Sequence, residues 1–461
     1  MKSILLVLLS AAFAYFGLSV ETVYTQVSPP EIHELLQEGK ANYTERDHIQ
    51  DLVPLKSADD YDNVIYIDPN YTGNLEGSIE QPYQSFPDPL EANTAYLLKR
   101  GSRYMVTNEI KLENDNILIG AYGEGDRPIV DASNYSDLRT FTFESDYGTI
   151  RDLNIRNARQ AISSNYFNPG NEDRAAYNTV YNNILYRTAL ASWSTYLRII
   201  DNEFYFAGQD AIFLQNCDYV EFSGNIVYHP NRSWHDYTGS GYCPESQCHG
   251  DALQLHRVNN WYVHNNYFDR SDTGNKFSFI ANEAGEDVDN YFEYNIVAGP
   301  HCEGAGGAGI YIGSQPGRFY VQNNHFIGPS CGAVYTHADV VFRDNVLEGE
   351  FANEPFNSKG ETYDNENVSY TTELPEYTED TTDPGNYIEF AEGEQVTLQA
   401  VPEEGWEFSH WEGDVSGSDN PLTITMDADV DVIAVFVESQ TGEVYYSLYT
   451  TVQGEGQIIV N

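Results

Sequence analysis

One stretch of the chain, residues 249–281, carries the densest set of side chains that can bind an anion or move a proton. These side chains are His249, Asp251, Gln254, His256, Arg257 and Lys276. Histidine and lysine take up and deliver protons, and arginine and lysine neutralise negative charge. Lys276 is isolated in sequence, since the nearest lysines are Lys111 before it and Lys359 after it. The set predicts proton abstraction beside an anionic group, if the fold brings these side chains to one surface.

The charge balance limits the possible partners. The 461 residues include 71 acidic and 23 basic side chains, which gives a formal net charge of −48. A surface of this sign repels a phosphate backbone, so we expect no nucleic-acid partner. An anionic ligand needs a local group of basic side chains against this background. The 36 tyrosines and 22 phenylalanines, beside 3 methionines, favour β-structure.

The N-terminus resembles a secretory signal. Residues 1–20 contain Lys2, an apolar run over residues 4–14 and the sequence Ala12-Phe13-Ala14, which fits a signal peptidase site. The alternative is a membrane anchor, and no later segment approaches the ~20 apolar residues of a spanning helix. The sequence therefore predicts a secreted or cell-surface protein with no membrane span. Residues 21–62 form a polar segment with a helical pattern near residues 31–40.

A repeat runs through the middle of the chain. An asparagine followed by a strand-like pair of residues recurs at Asn154, Asn183, Asn202, Asn225, Asn266, Asn295, Asn324 and Asn345. The gaps are 29, 19, 23, 41, 29, 29 and 21 residues, and periods of this size indicate a solenoid. Asparagine tolerates the left-handed backbone of tight corners. An all-β fold, a parallel β-helix over residues 63–350, is therefore predicted, and a β-sandwich with unrelated asparagine turns is the alternative.

The entry to this region carries a family resemblance. Residues 63–86 read NVIYIDPNYTGNLEGSIEQPYQSF, in which a strand ending in YIDP is followed by a Gly/Asn loop and by QPYQSF. This pattern resembles the entry to secreted right-handed parallel β-helix proteins. The resemblance implies a right-handed parallel β-helix.

Aligning one strand per coil by apolar alternation predicts a shared outer face. The aligned segments are QAISSN (160–165), DAIFLQ (210–215), DALQLH (251–256), NKFSFI (275–280), AGIYIG (308–313) and GAVYTH (332–337). Their third and fifth residues point inward, and the others point outward. The outward set includes Gln254, His256, Lys276, Tyr311, Tyr335 and His337. A groove with basic and aromatic walls suits a sugar chain, whereas the alternative is that the tyrosines only cover the sheet.

A long insertion, residues 229–248, precedes this face and is predicted to form one side of the groove. It carries Trp234, Tyr237 and Tyr242. We therefore predict substrate binding by Gln254, His249, Tyr237, Trp234, Tyr335 and His337.

A polysaccharide lyase is the first functional hypothesis. β-Elimination of a uronate needs a carboxylate neutraliser, a base and an acid. Lys276 is assigned as base, Tyr242 or Tyr311 as acid, and Gln254, His256 or Arg257 to the carboxylate. Fold and arrangement resemble the β-helical alginate lyases and related uronate lyases, some of which use a Lys/Tyr pair. The resemblance implies an alginate-like acidic polysaccharide as partner. The calcium-dependent members carry an acidic cluster before their lysine.

In this chain the segment just before Lys276 contains only Asp272 and Asn275 as possible calcium ligands. Calcium is the cofactor that we considered, and no cofactor is predicted. His249 and Asp251, with His235 or His256, match no strong metal-site spacing.

A glycoside hydrolase is the second hypothesis and needs two carboxylates. Asp210 and Asp251 occupy one column of the alignment, although corner residues there often cap a turn. A non-catalytic carbohydrate-binding adhesin is the third hypothesis.

The five cysteines give further predictions. Cys243 and Cys248 are close enough in sequence to close a small ring. Cys302 and Cys331 each follow a repeat asparagine by seven residues, so they are predicted to lie on adjacent coils within disulfide reach. Cys217 is predicted to be buried in a strand.

The tail differs in composition from the repeat. Residues 351–385 are acidic and linker-like. Residues 386–438 contain VTLQAVPEEGWEFSHW, GDVSG and MDADVDVIAVF, which closely resemble the internalin-type bacterial repeat. That resemblance implies a small β-grasp-like module of bacterial surface and secreted proteins, with Trp406 and Trp411 in its core. Residues 439–461 are predicted to begin a second copy, and the whole chain is predicted to be a monomer.

Overall fold

The computed structural model describes 36, 40, 49–132, 139–164, 175–186, 188–205, 211–228, 252–269, 279–282, 289–298, 309–313, 317–327, 334–336, 338–349, 356–357, 360–368, 395–398, 400, 406–413, 415–425 and 432–438. The chain divides into two compact units. The larger comprises residues 28–375, and the other joins residues 1–27 with residues 376–461.

Three parallel sheets build the larger unit, and after the first strand the successive strands enter the three sheets in turn. Sheet A has twelve strands in the described residues: β1 Asn63–Ile67, β2 Thr94–Lys99, β5 Ile117–Tyr122, β8 Thr149–Arg151, β11 Thr179–Tyr181, β14 Leu197–Ile200, β17 Asp218–Ser223, β20 Asn259–His264, β23 Asp289–Glu293, β26 Arg318–Gln322, β29 Asp339–Arg343 and β32 Gly360–Tyr363. Sheet B has eleven: β3 Arg103–Met105, β6 Ile129–Asp131, β9 Asn154–Arg156, β12 Ile184–Tyr186, β15 Glu203–Tyr205, β18 Ile226–Tyr228, β21 Tyr267–Asp269, β24 Ile296–Ala298, β27 His325–Ile327, β30 Val346–Glu348 and β33 Glu366–Val368. Sheet C has ten: β4 Ile110–Leu112, β7 Arg139–Phe143, β10 Gln160–Ser164, β13 Leu190–Ser192, β16 Ile212–Gln215, β19 Leu253–His256, β22 Phe279–Asn282, β25 Ile310–Ile312, β28 Val334–Thr336 and β31 Phe356–Asn357.

The strands form because apolar residues alternate along them and fill the space between the sheets. In sheet C, for example, Ile212 pairs with Leu253, Leu214 pairs with Leu255, and all four side chains are buried. The core continues from coil to coil as one cluster that extends from Ile67 to Leu347. Parallel connections of this kind are right-handed. The predicted right-handed parallel β-helix is confirmed.

A buried ladder of asparagine side chains fixes the corner between sheets A and B. In each rung the asparagine Nδ2 donates to the Oδ1 of the next, over 2.9–3.1 Å. The rungs are Asn183, Asn202, Asn225, Asn266, Asn295, Asn324, Asn345 and Asn365. A left-handed residue precedes each rung, such as Asn182 with φ 53° and Asp201 with φ 52°. The predicted asparagine repeat is therefore a physical ladder.

Two details differ from the sequence prediction. Asn154 is not a rung, because it pairs with Ile184 in sheet B, and the main-chain N–H of Leu153 donates to Asn183 instead. Asn365, which was assigned to the linker, is the last rung among the residues that the structure describes. Strands β31, β32 and β33 add to the three sheets, so coils continue to Val368 within the predicted linker 351–385.

One coil has a register different from the predicted alignment. Leu253 pairs with Phe279, and Gln254 pairs with Ile280. The alignment had matched Leu253 with Phe277, which is two residues earlier. A shift of two preserves the alternation of inward and outward residues, so apolar pattern alone cannot distinguish the two registers.

The described part of the N-terminal polar segment packs on the outer face of sheet A. It includes a helical turn, α1 Ile49–Leu52, and a 3-10 turn, Ala58–Asp60. Ile49 and Val53 are buried. The guanidinium of Arg198 donates to the carbonyl of Val53 over 2.7 Å, and that of Arg151 donates to the carbonyl of Lys56 over 2.9 Å. Burial lowers the pKa of Lys56.

The second unit contains two antiparallel pairs in its described residues. Strand β34 Gln395–Leu398 pairs with β36 Leu422–Thr425, and β35 Trp406–Gly413 pairs with β37 Val432–Glu438. Trp411 is buried, and its indole N–H donates to the carbonyl of Asp419 over 2.8 Å, as expected of a core residue. Within the part of the chain that the structure describes, no helix is long and apolar enough to cross a membrane.

Candidate functional site

The outer face of sheet C changes its chemistry from coil to coil. By backbone register, one column of paired residues crosses the ten described strands of sheet C in the order Lys111, Thr142, Ser163, Ala191, Phe213, Gln254, Ile280, Tyr311, Tyr335 and Asn357. Neighbouring coils are ~4.8 Å apart. The column therefore begins with Lys111 and two hydroxyl residues, and its two consecutive tyrosines, Tyr311 and Tyr335, come near the other end.

The basic end of the column is tied to acidic partners. Lys111 forms an ion pair with Glu144 at 2.8 Å, and the hydrogen bond to Glu144 raises the pKa of Lys111. Thr142 contacts Ser163 at 2.9 Å and also hydrogen-bonds Glu109. Both hydroxyl groups are buried. The polar side chains at this end of the column therefore bind one another and nearby glutamates.

Strand β19 carries the central polar side chains of the face. Gln254 and His256 are half-buried and point outward, whereas Leu253 and Leu255 between them are buried. His256 pairs with Gln215 on one side and with Asn282 on the other. The predicted placement of Gln254 and His256 on one outer face is therefore observed.

A hydrogen-bonded row crosses three coils and ends at His256. The indole Nε1–H of Trp193 donates to Gln215 Oε1 over 2.9 Å, and Gln215 Nε2 lies 2.7 Å from His256 Nδ1. Trp193 is buried, and its ring meets the Phe213 ring edge-on at 6.3 Å between centroids. Its main-chain N–H donates to Ser164 Oγ over 2.7 Å. The buried end of the row is thus held on both backbone and side chain.

Arg257 directly follows the strand and is exposed. It adopts a left-handed backbone with φ 55°, the conformation that Asn216 adopts with φ 53° in the preceding coil. The two corners are in contact, since the Asn216 N–H donates to the His256 carbonyl over 2.9 Å. A left-handed backbone brings the Cβ of a non-glycine residue close to the following carbonyl oxygen, so this corner carries backbone strain of about 1 kcal/mol.

The structure brings together four of the predicted site residues. Gln254, His256, Arg257 and Tyr311 lie on or beside this face, with Tyr311 two coils from Gln254 in the same column. Tyr335 occupies the next place in the column by its backbone register. The remaining predicted residues lie outside the described residues and stay predictions: Lys276, Tyr242, His249, Tyr237, Trp234, His337, Asp210 and Asp251. Because β22 begins at Phe279, Lys276 precedes that strand by three residues.

The predicted cysteine pairs, Cys243 with Cys248 and Cys302 with Cys331, also lie outside the described residues. Cys217 is buried as predicted but sits between β16 and β17 rather than in a strand. Its thiol contacts the carbonyl of Ser192 at 3.4 Å. Among the residues that the structure describes, no group of three or more His, Cys, Asp or Glu side chains is placed to hold a metal ion.

Three residues of the site were missed by sequence reasoning, namely Trp193, Phe213 and Gln215. The coil that carries Trp193 was absent from the alignment, because its strand Leu190–Ser192 has three residues and weak alternation. Gln215 did appear in the aligned column of His256. A signal was therefore available in the pairing of an amide with an imidazole on adjacent coils.

Two other polar or aromatic features of the unit serve its construction. On sheet A, Glu221 is buried with Arg198 at 2.7 Å and accepts from Ser223 Oγ over 2.7 Å. This pair supports the Arg198 contact to the N-terminal segment. At the corner before sheet A, the stacked rings of Tyr147, Tyr177, Tyr196 and Tyr219 lie 4.6–4.8 Å apart.

Family models match two parts of the chain. Residues 188–351 match the right-handed β-helix region, and residues 380–440 match the divergent InlB B-repeat domain. No curated protein matches the chain.

Solved structures with a similar fold include a GH136 lacto-N-biosidase from Eubacterium ramulus, with 14% identity, TM-score 0.47 and coverage of 67% of this chain and 68% of that one. An alginate lyase from Paenibacillus sp. str. FPU-7 has 12% identity, TM-score 0.32 and coverage of 67% and 98%. A mannuronic acid specific polysaccharide family 6 lyase from human gut microbiota has 12% identity, TM-score 0.37 and coverage of 66% and 82%. At these identities and TM-scores no activity transfers to this chain. The sheet topology and the two family matches identify a right-handed parallel β-helix followed by a bacterial repeat module.

Proposed function

We propose that the chain is a secreted or cell-surface enzyme that cleaves a uronate-containing, alginate-like polysaccharide by β-elimination. The observation that carries the proposal is the placement of Gln254 and His256 on the outer face of strand β19, with Arg257 exposed at the corner that directly follows. All three side chains can donate N–H hydrogen bonds, in a chain with 23 basic and 71 acidic residues. Such a group suits a ligand that carries carboxylates.

The chemistry assigns a role to each candidate. Gln254, His256 and Arg257 bind the uronate carboxylate, and its neutralisation makes the adjacent C5 proton more acidic. Lys276 takes that proton, and the C5–H electron pair forms the C4–C5 double bond. The C4–O4 bond breaks, and Tyr311 or Tyr242 gives a proton to the departing O4. Atoms and charge balance without an external reactant.

The groove supplies sites for flanking sugars. Tyr311 and Phe213 are half-buried on the outer column of sheet C, where apolar faces suit sugar rings. Tyr335 extends this column by one coil. We assign Trp234, Tyr237, His249 and His337 to further binding positions. Secretion rests on the signal-like sequence of residues 1–20.

A substrate panel tests the proposal. The purified chain is incubated with alginate, pectate, a glycosaminoglycan and carrageenan, and both ultraviolet absorbance and reducing ends are followed. A lyase gives new reducing ends together with the absorbance of an unsaturated uronate. Reducing ends without that absorbance would contradict β-elimination. Binding with no product would favour an adhesin.

A glycoside hydrolase is the second candidate, and one observation favours it. Ala211 and Ala252 directly follow Asp210 and Asp251, and they lie on adjacent coils because Ile212 N–H donates to the Ala252 carbonyl over 3.1 Å. Carboxyl groups about 5–5.5 Å apart serve retaining hydrolases. If this candidate holds, Asp251→Asn removes the formation of reducing ends, and the products carry no unsaturation.

A further inference from the structure

The row from Trp193 through Gln215 to His256 contains a directional constraint. Trp193 Nε1 is 2.9 Å from Gln215 Oε1, and Gln215 Nε2 is 2.7 Å from His256 Nδ1. An indole N–H only donates, whereas an amide has one accepting end and one donating end. The amide of Gln215 must therefore turn its oxygen toward Trp193. Its NH2 group then faces His256.

The orientation of the amide in turn fixes the imidazole. A nitrogen that accepts a hydrogen bond from an NH2 group carries a lone pair and no proton. His256 Nδ1 is therefore the unprotonated nitrogen, and the proton of the neutral ring resides on Nε2. The tautomer follows from the donor-only character of an indole two coils away.

The row is anchored at its buried end. Trp193 has 7% of its surface exposed, and its backbone N–H is bound by Ser164 Oγ. The ring contacts Phe213 edge-on. Gln215 and His256 are half-buried, so the row runs from the interior to the outer face of sheet C. A rotation of the Gln215 amide would place its NH2 group against the Trp193 N–H, which has no accepting atom.

We propose that Trp193 and Gln215 are positioning residues that hold His256 as its Nε2–H tautomer, so that His256 donates a hydrogen bond to the substrate carboxylate and is not the base. A base needs an unprotonated nitrogen toward the C5 proton, and that nitrogen of His256 is engaged by Gln215. The base is then another residue, for which Lys276 remains assigned. The role toward substrate rests on the proposed function, whereas the tautomer rests only on the row.

The direct test is nitrogen-15 NMR of the substrate-free protein with labelled histidine. The His256 signals are assigned by their loss in His256→Ala. The expected pattern is a neutral ring with a proton on Nε2 and a hydrogen-bonded, unprotonated Nδ1. A ring with its proton on Nδ1 would overturn the proposal, whatever the activity of the protein.

Gln215→Glu replaces the group that donates to His256 Nδ1 by one that accepts from it, and the side chain keeps almost the same shape. A carboxylate accepts from both Trp193 and His256, so His256 Nδ1 is expected to carry a proton, and in the neutral ring Nε2 then carries none. The proposal predicts a fall in kcat of about 10²-fold with a smaller change in KM, since one donor to the developing charge is lost. Gln395→Glu, on an exposed strand of the repeat module, adds the same charge and controls for it. Unchanged tautomer and unchanged kcat in Gln215→Glu would sink the idea.

Trp193→Phe provides a second variant that keeps the aromatic packing. The amide of Gln215 loses its fixed orientation, so NMR is expected to show a mixture of His256 tautomers and kcat is expected to fall about tenfold. A single, unchanged Nε2–H tautomer would show that Trp193 does not set the amide. The substrate panel is read separately: an Nε2–H tautomer in a chain with no lyase activity supports the row and overturns the proposed function.

Discussion

The corner between sheets A and B and the outer face of sheet C repeat at the same interval but differ in what they repeat. The corner places the same amide in eight successive coils, and the first seven rungs are buried and each bonded to the next. The face of sheet C places a different side chain at almost every coil, from Lys111 through Gln254 to Tyr311. Uniformity gives a hydrogen-bond ladder, and variation gives a surface that can distinguish ligands. The scaffold and the site are thus separated within each coil.

A second corner, next to sheet A, also repeats one residue type from coil to coil, and here that residue is an aromatic tyrosine rather than an amide. Tyr147, Tyr177, Tyr196 and Tyr219 all have φ near 50–59° and stack with interplanar angles of 3–9°. Left-handed backbone is costly for such side chains, and stacking at about 0.5–1.5 kcal/mol per pair offsets the cost. Desolvation raises the pKa of Tyr196 in this stack. The earlier and later coils use Asn116 and Asn260 at the corner.

The largest expected effect comes from breaking the amide ladder at its centre. Asn225→Leu removes the acceptor of the Asn202 N–H and the donor to the Ile199 carbonyl, both of which are buried. With about 1–3 kcal/mol for each unsatisfied group, the free energy of unfolding should fall by about 4 kcal/mol. Chemical denaturation measures the change. Asn367→Ala, at an exposed position of sheet B, is the matched control and should change stability by less than about 0.5 kcal/mol.

The next effect concerns activity rather than stability. His256→Ala removes a donor to the proposed substrate carboxylate and should lower kcat about 10²-fold, while the free energy of unfolding changes little. Steady-state kinetics on the active member of the substrate panel measure it. His325→Ala, on sheet B, is the matched histidine control and should retain full kcat. Equal losses in the two variants would contradict the assignment of the site to sheet C.

A smaller effect is expected from the aromatic end of the column. Tyr311→Phe keeps the ring and removes the hydroxyl, so kcat should fall about tenfold if Tyr311 delivers the proton to O4. Tyr320→Phe, in the stacked pair with Tyr291 on sheet A, is the control and should leave kcat unchanged. Full activity of Tyr311→Phe would transfer the acid role to Tyr242.

The smallest effect tests the tyrosine corner. Tyr196→Asn loses two stacked contacts but places at this corner the residue type that neighbouring coils already use. Lost stacking and relieved backbone strain have similar magnitudes, so the free energy of unfolding should change by less than about 1 kcal/mol. Thermal and chemical denaturation measure the difference. A loss comparable to that of Asn225→Leu would show that the two ladders contribute equally.

Much of the fold could be predicted, because its signals are local. The recurring asparagines placed the corner between sheets A and B in seven of eight proposed coils, and Asn154 was wrong because Leu153 holds the rung there. The end of the β-helix was placed too early, since the acidic composition of residues 351–385 obscured the rung at Asn365. The site was harder to predict. Gln254, His256 and Tyr311 were found from alternation, whereas Trp193 depends on a coil with a short, weakly patterned strand.

The sequence by itself determined the solenoid, its asparagine corner and the outward direction of Gln254 and His256, because one-per-coil spacing and a period of two are visible in the residues. Only the tertiary structure decided the register between coils. Phe277 and Phe279 both satisfy the apolar pattern, and the pairing of Leu253 with Phe279 selects one of two registers that the pattern leaves equal. The tertiary structure also decided that Trp193 meets Gln215, which the alignment had already placed beside His256, because the short strand Leu190–Ser192 gives too weak a pattern to align its coil.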